Sequence, residues 1–258
     1  MREHLIIIKV GGKIVEEEDS LRLLLKGFSR IAGGKILVHG GGQSATEIAE
    51  KLGIETKMVD GRRITDAATL KVATMVYAGL VNKTIVAGLQ ALGNNAIGLS
   101  GPDLDIIRAA KRPVVEIDYG FVGDINWVNS LALSELLENG AIPVVAPITH
   151  DGKGLLLNTN ADTIASELAT ALCSKYEVRL ISCFEKPGVL MNEADDNSVI
   201  SEIDPKLFEE LKAQGIIYGG MIPKLENGFN ALRRGVSVVV ITNAQGISGI
   251  LRGTRLVL

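Results

Sequence analysis

Short apolar segments recur along this chain, several of them beside glycine, and this recurrence constrains its fold more than any other feature. Their apolar residues are consecutive, which is typical of strands buried on both faces of a sheet. These segments are Leu5–Val10, Lys35–His39, Ile142–Ala146, Val178–Ser182 and Val236–Thr242. Segments with helical spacing alternate with them, namely Ser20–Ile31, Ser44–Leu52, Asp66–Leu92, Ser130–Glu138, Asp162–Leu172, Pro205–Lys212 and Met221–Arg233. The alternation predicts an α/β fold with a mainly parallel central sheet covered on both faces.

One stretch departs from this alternation. Val114–Asp118 and Val122–Val128 flank Tyr119-Gly120-Phe121, a pattern that predicts a β-hairpin inserted into the α/β series. We find no internal repeat or low-complexity linker, so one domain over residues 1–258 is predicted. The best junction between two lobes lies near residues 174–178, where a predicted helix ends and a new series of elements begins.

Composition excludes several classes of protein. The chain has 258 residues, 47% of them hydrophobic, which is enough for a core without disulfides. Its net charge is −3 and it has no basic block, so we expect neither a nucleic acid nor a membrane as partner. The two cysteines, Cys173 and Cys183, form no CxxC and have no nearby histidine pair, so neither a zinc site nor a disulfide is expected. No signal peptide and no charge-free span of ~18 apolar residues is found, and a cytoplasmic setting fits.

Two glycine clusters directly follow predicted strands: Gly11-Gly12 and Gly40-Gly41-Gly42. Glycine allows a ligand to approach the backbone closely, and a helix that follows offers free N–H groups to an anion. The pair therefore favours an anion site over two tight turns. No Walker A motif and no GxGxxG pattern occurs, so a nicotinamide cofactor is not indicated.

Polar residues stand at other strand ends. Lys9 lies inside an apolar strand, where burial requires an anionic partner unless the side chain reaches solvent. Lys224 falls in the first turn of a predicted helix, and alone it would be interpreted as a solvated lysine. Arg62-Arg63 can clamp a carboxylate or form a solvated turn. Asn158–Asp162 can hold a ligand, or Asp162 can simply cap its helix. His39 is interpreted as a strand-end core residue.

The motifs IIIKVGGK, VHGGGQ, DGRRIT, NTNAD and GGMIPK occur in this order across almost the whole chain. Together they resemble the amino-acid-kinase family. The resemblance implies an open three-layer α/β/α sandwich, with an acylglutamate-binding lobe over residues 1–175 and an ATP-binding lobe over residues 176–258. It also implies ATP and Mg²⁺, a cytoplasmic homodimer, and phosphorylation of the γ-carboxylate of N-acetyl-L-glutamate in arginine biosynthesis.

The same resemblance implies roles for individual residues. Lys9 and Lys224 would contact the phosphoryl group in flight, and Asp162 would hold both lysines. Phosphate-binding N–H groups would come from Gly11, Gly12 and Gly41. The acylglutamate would be bound by Gly41, Gly42, Arg63, Asn158 and Asn160. The ATP site would involve Glu185, Lys186, Gly188, Val189, Leu190, Ile216, Ile217 and Tyr218. No protein side chain is assigned to a metal.

The chain departs from the family pattern in two places. Relatives often have D-V-x-G-V-L after the strand Val178–Ser182, whereas this chain has a longer segment over Cys183–Leu190. Individual adenine contacts therefore stay open. A similar segment occurs in kinases associated with succinylated intermediates, so N-succinylglutamate is an alternative substrate. Arginine-inhibited hexameric relatives carry an extra N-terminal helix, but only four residues precede Leu5, so we expect a dimer that arginine does not inhibit.

The implied chemistry is consistent with the residues. A γ-carboxylate with a pKa near ~4.3 is already ionised at neutral pH and needs no general base. Two lysines and glycine N–H groups would offset the repulsion between this carboxylate and ATP, which predicts direct in-line transfer. Rival activities within the family are aspartate, carbamate, nucleoside monophosphate and carrier-bound aminoadipate kinases. A catalytically silent ligand sensor is the rival from another class.

Overall fold

A computed structural model describes residues 2–59, 62–247 and 253–258. The strands within these ranges are β1 (Glu3–Val10), β2 (Gly34–His39), β3 (Lys57–Val59), β4 (Arg62–Ile64), β5 (Ala96–Leu99), β6 (Ile107–Lys111), β7 (Gly123–Val128), β8 (Ile142–Val145), β9 (Ile148–His150), β10 (Leu156–Asn158), β11 (Tyr176–Cys183), β12 (Glu202–Ile203), β13 (Val238–Thr242) and β14 (Thr254–Leu256). The α-helices are α1 (Gly12–Glu16), α2 (Glu18–Ser29), α3 (Gly42–Lys51), α4 (Ala67–Thr74), α5 (Asn82–Ala91), α6 (Ser130–Glu138), α7 (Ala161–Leu172), α8 (Pro205–Ala213), α9 (Met221–Arg233) and α10 (Ala244–Ile247).

The central sheet has eight strands among the described residues, in the order β12-β14-β13-β11-β1-β2-β8-β5. Every pairing in it is parallel except the antiparallel pair of β13 and β14. The first strand of the chain, β1, lies in the middle of the sheet, between β11 and β2. The prediction of a mainly parallel central sheet is confirmed.

Helices cover both faces of this sheet and bury two separate cores. Helices α6 to α9 pack on one face around residues such as Ile164 and Phe229. Helices α1 to α5 and α10 pack on the other around residues such as Phe28 and Ile85. The arrangement is a three-layer α/β/α sandwich, as the sequence predicts.

Side chains of β1 alternate between these two cores. Leu5 and Ile7 belong to the core beneath α7 and α9, whereas Ile8 and Val10 belong to the opposite core. Successive side chains of a strand point to opposite faces. Lys9 therefore continues the series of Leu5 and Ile7 and points toward α7 and α9.

The predicted helix Asp66–Leu92 is present as Ala67–Ala91, in which a π-helical segment over Met75–Val81 joins α4 to α5. Asp66 caps it, because its carboxylate accepts a hydrogen bond from the N–H of Thr69 at 2.8 Å. By length and composition alone this helix could cross a membrane. However, 44% of its most apolar window is buried within the protein, and the core helices of soluble proteins meet the same criterion.

The predicted inserted hairpin is present, but the prediction of Val114–Asp118 as its first arm is wrong. Its arms are β6 and β7, which pair antiparallel in a second sheet of order β10-β9-β6-β7. The predicted arm Val114–Asp118 lies instead in the connection between them, with Val115 85% exposed. Pro113 has no N–H to donate to a neighbouring strand, which disfavours a strand at this point. The buried side chains of the first arm are Ile107 and Ala109, whereas Val114 and Val115 are exposed.

Candidate active site

A cavity of about 230 Å³ lies at the carboxyl ends of the central strands, where open α/β sheets bind their ligands. It brings together residues that are distant in sequence: the ends of β1 and β2, strand β4 and the start of α7. Of the predicted site residues, Lys9, Gly12, Gly41, Gly42, Arg63, Asn158, Asn160 and Asp162 line it. The sequence did not indicate the other charged residues of its lining, Arg112 and Asp124.

Lys9, Asp162 and Lys224 form one buried ionic cluster. Lys9 Nζ donates to Asp162 Oδ2 at 2.8 Å, and Lys224 Nζ donates to Asp162 Oδ1 at 3.1 Å. The side chain of Lys9 is 9% exposed, that of Asp162 21% and that of Lys224 11%. Each carboxylate oxygen thus serves one ammonium group, and the two cations are held together although they repel each other.

Asp162 can do this because it does not cap its own helix. Asn160 occupies the N-cap position of α7, and its side chain accepts from the N–H groups of Asp162 and Thr163 at 2.8 and 3.2 Å. The interpretation of Asp162 as a helix cap is therefore wrong. Asn160 itself lines the cavity, with its side-chain oxygen committed to the cap.

Burial and charge act against each other in the cluster. Burial alone would raise the pKa of Asp162, but Lys9 and Lys224 outweigh it and hold this pKa well below its usual range. Burial, together with the charge of Lys9, lowers the pKa of Lys224, and Asp162 opposes that change. Asp162 is therefore an anion throughout the neutral range.

The glycine loops bring backbone nitrogens close together. A Cβ on Gly12 would lie 3.5 Å from the nitrogens of both Gly41 and Gly42. Gly41 has a φ of 144°, and a Cβ there would lie 3.3 Å from Tyr77 and Val81, so only glycine fits. Gly12 and Gly42 begin α1 and α3, where N–H groups have no acceptor within the helix. The N–H of Gly11 donates to Cys183 O at 2.9 Å and so is not free for a phosphate in this conformation.

His39 supports the second glycine loop from within the core. It is fully buried, its Nδ1 lies 2.7 Å from Gly40 O, and its Nε2 lies 3.1 Å from the side-chain nitrogen of Asn82. Because a carbonyl only accepts, Nδ1 carries the proton and Nε2 accepts from Asn82. The same Asn82 nitrogen also donates to Val144 O at 2.9 Å. This neutral tautomer links β8 to the Gly40 carbonyl.

Acidification should destabilise the fold through His39. Burial lowers the pKa of His39 to about 4, although the bond to Gly40 opposes the change. The unfolded chain, with a histidine pKa of ~6.5, binds the proton more readily, so stability falls as pH falls from about 6.5 to about 4. We expect a loss of ~2 kcal/mol between pH 7 and pH 5, measured by urea unfolding. In His39→Gln this part of the pH dependence should be absent. If the free energy of unfolding changed equally with pH in both proteins, the prediction would be contradicted.

Arg63 and Asn158 stand on the wall of the cavity. Arg63 is 9% exposed, and its Nη2 donates to Gly42 O and to Thr46 Oγ1, both at 2.7 Å. Asn158 Nδ2 donates to Thr65 Oγ1 at 3.0 Å. Both side chains are thus oriented by contacts within the protein. Of the DGRRIT motif, Asp60, Gly61 and the side chain of Arg62 lie outside the described residues.

A second cavity of about 440 Å³ lies beyond the end of β11. Of the residues expected around ATP, Lys186, Gly188, Val189, Leu190, Ile216 and Tyr218 line it. Ile217 does not, since it is 1% exposed within the core, and Glu185 instead faces Lys13 at 3.5 Å. Lys186 and Tyr218 reach across to Asp196 and Glu193, so the loop after Met191 closes one side.

The cluster stands between the two cavities. Lys9 and Asp162 line the first, whereas Met221, three residues before Lys224 on α9, lines the second. The ammonium of Lys224 also lies 5.9 Å from the ring centroid of Phe184, another residue of the second cavity. The cluster therefore borders the first cavity directly and adjoins residues of the second.

Sequence reasoning missed Glu16, which joins the two glycine loops. Glu16 Oε1 accepts from the N–H of Ser44 at 2.7 Å and from its hydroxyl at 2.9 Å. It thereby ties the end of α1 to the first turn of α3. The sequence around Glu16 does not predict this contact, because Glu16 is the first of four consecutive acidic residues, a pattern typical of an exposed surface.

Metal donors are scarce. The described part of the chain contains no group of three or more histidine, cysteine, aspartate or glutamate side chains that could hold a metal ion. Both oxygens of Asp162 are already engaged by lysines. The donor set does not fit a cation held by protein side chains alone.

An open sandwich whose glycine loops and paired lysines meet at the strand ends defines the class of phosphoryl-transfer enzymes that handle small anionic substrates. The sequence profile described as the Amino acid kinase family matches residues 4–243, and the chain belongs to this family.

Individual relatives agree with this assignment. The acetylglutamate kinase of Phocaeicola vulgatus is 65% identical over 248 residues, covering 96% of each chain. That of Bacteroides thetaiotaomicron is 62% identical over 256 residues, covering 99% of each. Among solved structures, smu.665 from Streptococcus mutans UA159 is 27% identical, with a TM-score of 0.82 over 98% of each chain.

Proposed function

We propose that this chain is an acetylglutamate kinase, which transfers the γ-phosphoryl group of ATP to the γ-carboxylate of N-acetyl-L-glutamate in arginine biosynthesis. The product is N-acetyl-L-glutamyl 5-phosphate. The observation that carries the proposal is the attachment of Lys9 and Lys224 to one carboxylate, Asp162, between two cavities. The names of the relatives at 65% and 62% identity support the choice of acceptor.

Each cavity is assigned one substrate. The described residues that line the 230 Å³ cavity all come before position 175, and we assign this cavity to the acylglutamate. The described residues that line the 440 Å³ cavity all come after position 176, and we assign it to ATP. The division into an acylglutamate-binding lobe over 1–175 and an ATP-binding lobe over 176–258 is part of this proposal.

The transfer itself requires charge neutralisation rather than proton removal. The acceptor carboxylate is ionised at neutral pH, so no general base is needed. Lys9 and Lys224 stabilise the charge on the phosphoryl group as it moves, and Asp162 fixes both ammonium groups. The N–H groups of Gly12 and Gly41 assist, and the reaction proceeds in line without a covalent enzyme intermediate.

Binding roles follow from the cavity walls. Gly41, Gly42, Arg63 and Asn158 hold the acylglutamate, and the amide nitrogen of Asn160 assists them. Around the nucleotide, Val189, Leu190 and Ile216 supply apolar contacts, while Gly188 leaves room for close approach.

Magnesium, oligomeric state and location belong to the same proposal. Because the described residues contain no group of donors that could hold a cation, we assign Mg²⁺ mainly to the phosphates of ATP, which supply ligands to Mg²⁺ in kinases. A cytoplasmic homodimer is consistent with exposed apolar side chains on the helix Ala67–Ala91, where Met75 is 56% and Leu80 57% exposed. Insensitivity to arginine stays a prediction.

Release of ADP should be measured with N-acetylglutamate, N-succinylglutamate, aspartate and uridine monophosphate side by side. We expect turnover with N-acetylglutamate and none with aspartate or the nucleotide. A higher kcat/KM with N-succinylglutamate would overturn the assignment of the acyl group. Calorimetric binding of acylglutamate without any ADP release would support a silent sensor instead.

A further inference from the structure

Ser182 lies beside the lysine cluster, and the reaction as proposed does not use it. Its Cα pairs with that of Lys9 in the parallel register of β1 and β11. Tyr176, Val178 and Leu180 of β11 belong to the core beneath α7 and α9, and Ser182 continues this series on the same face. Its hydroxyl therefore points to the side on which Asp162 and Lys224 stand.

The hydroxyl of Ser182 is buried without a partner. The residue is 7% exposed, and Ser182 Oγ finds no hydrogen-bond partner among the described residues. Buried hydroxyl groups are nearly always hydrogen-bonded to protein or to ordered water, because burying one without a partner costs free energy. The face of β11 that contributes Tyr176, Val178 and Leu180 to the core thus carries a polar group at the position beside Lys9.

A small cavity of about 20 Å³ adjoins this hydroxyl, and its polar walls are Lys9, Asp162, Ser182, Lys224 and Asn227. A cavity of ~10–15 Å³ on this measure is enough for one water molecule, provided that two to four polar partners surround it. The neighbouring ammonium groups exclude a cation, and the volume excludes a phosphate. One water molecule is the occupant that fits in size and in chemistry.

We propose that Ser182 and one buried water molecule form an acceptor site behind the two lysines. Each ammonium has three N–H donors, and Asp162 takes one from each. The water oxygen accepts a further N–H from an ammonium and is itself held by the Ser182 hydroxyl, which has no direct partner in the described part of the chain, so the remaining N–H groups are left for the phosphoryl path. Ser182 is then a positioning residue for Lys9 and Lys224; its effect on catalysis rests on the proposed function.

The first test does not depend on activity. A high-resolution crystal structure should contain an ordered water about 3 Å from Ser182 Oγ and from one lysine Nζ. Ser182→Ala should lower the thermal midpoint, because the water loses its hydroxyl partner and holds the ammonium less firmly. An empty cavity together with a more stable Ser182→Ala protein would overturn the proposal, since the hydroxyl would then be a buried group without any partner.

The second test is kinetic. We expect Ser182→Ala to lower kcat about 10-fold, as for loss of a hydrogen bond to a charged group, with KM for both substrates within about 2-fold. Ser182→Thr, which keeps the hydroxyl, should restore most of kcat. Ser134→Ala is the matched control, since Ser134 is also buried but donates to Ser130 O on α6. An unchanged kcat in Ser182→Ala, or equal losses in Ser182→Ala and Ser182→Thr, would contradict the positioning role.

The two tests separate this proposal from the proposed function. If the unaltered protein releases no ADP with any acceptor, the kinase assignment fails, while the water site and the thermal midpoint still decide the structural proposal.

Discussion

Lys9→Ala and Lys224→Ala should each lower kcat by ~10²–10³-fold, equivalent to ~3–4 kcal/mol of lost transition-state stabilisation, as for removal of one oxyanion-hole donor. Both ammonium groups reach the same carboxylate between the two cavities, so each contributes its charge to the same migrating group. We expect KM to change much less than kcat, because the charge is needed most in the transition state. Steady-state kinetics of ADP release measures both parameters.

Lys35→Met is the matched control for these variants. Lys35 is another buried lysine, 5% exposed, but its ammonium donates to the carbonyls of Phe28, Ser29 and Ile31 at the end of α2. Its loss should destabilise the fold and leave kcat near the wild-type value. If Lys9→Ala and Lys224→Ala both keep full activity, the site assignment is wrong.

Asp162→Asn should produce the largest loss of stability. Removing the anion leaves two buried ammonium groups without a charged partner, and breaking a buried ion pair in this way costs ~3–5 kcal/mol. Because the pKa of Asp162 is held below its usual range, this stabilisation is present above the unfolded pKa of ~4 and is lost as pH falls through the folded value. Activity should fall as well, since the lysines lose their common anchor. Urea unfolding at pH 7 measures the loss of stability, and kcat measures the loss of activity.

Two further variants sharpen that experiment. Asp196→Asn removes an exposed carboxylate that pairs with Lys186 at 3.0 Å, and it should cost at most ~1 kcal/mol. The triple variant Lys9→Met, Asp162→Asn, Lys224→Met has no buried charge in the cluster, and it should regain much of the stability but no activity. A triple variant less stable than Asp162→Asn would contradict the role given to unpartnered charge.

Much of the sheet could be predicted because its strands are apolar at consecutive positions. Such strands require cover on both faces, and β1, β2 and β11 meet that requirement. Lys9 could be singled out for the same reason, since a cation in such a strand needs an anion. The shorter β5 escaped prediction because Gly98 interrupts it and Ile97 is 37% exposed.

Other features depend on long-range contacts that no local pattern contains. Val114 and Val115 have strong strand propensity, yet they lie in a loop, where Val114 is 61% and Val115 85% exposed. Asn160 and Asp162 both suit an N-cap, and only the lysines from β1 and α9 explain why the carboxylate is used elsewhere. Ser182 lies in register with Lys9, 173 residues away, and Glu16 accepts a hydrogen bond from Ser44, 28 residues away, so neither contact could be predicted from its own segment.

The central place of β1 bears on how the protein is made. Lys9 leaves the ribosome early, but its anionic partner follows 153 residues later and Lys224 another 62 after that. At ~5–20 residues per second, about 10–40 seconds of synthesis separate the first member of the cluster from the last. During that time the apolar strand and its lone cation lack their final neighbours, so this segment is exposed to aggregation until the later strands and helices are made.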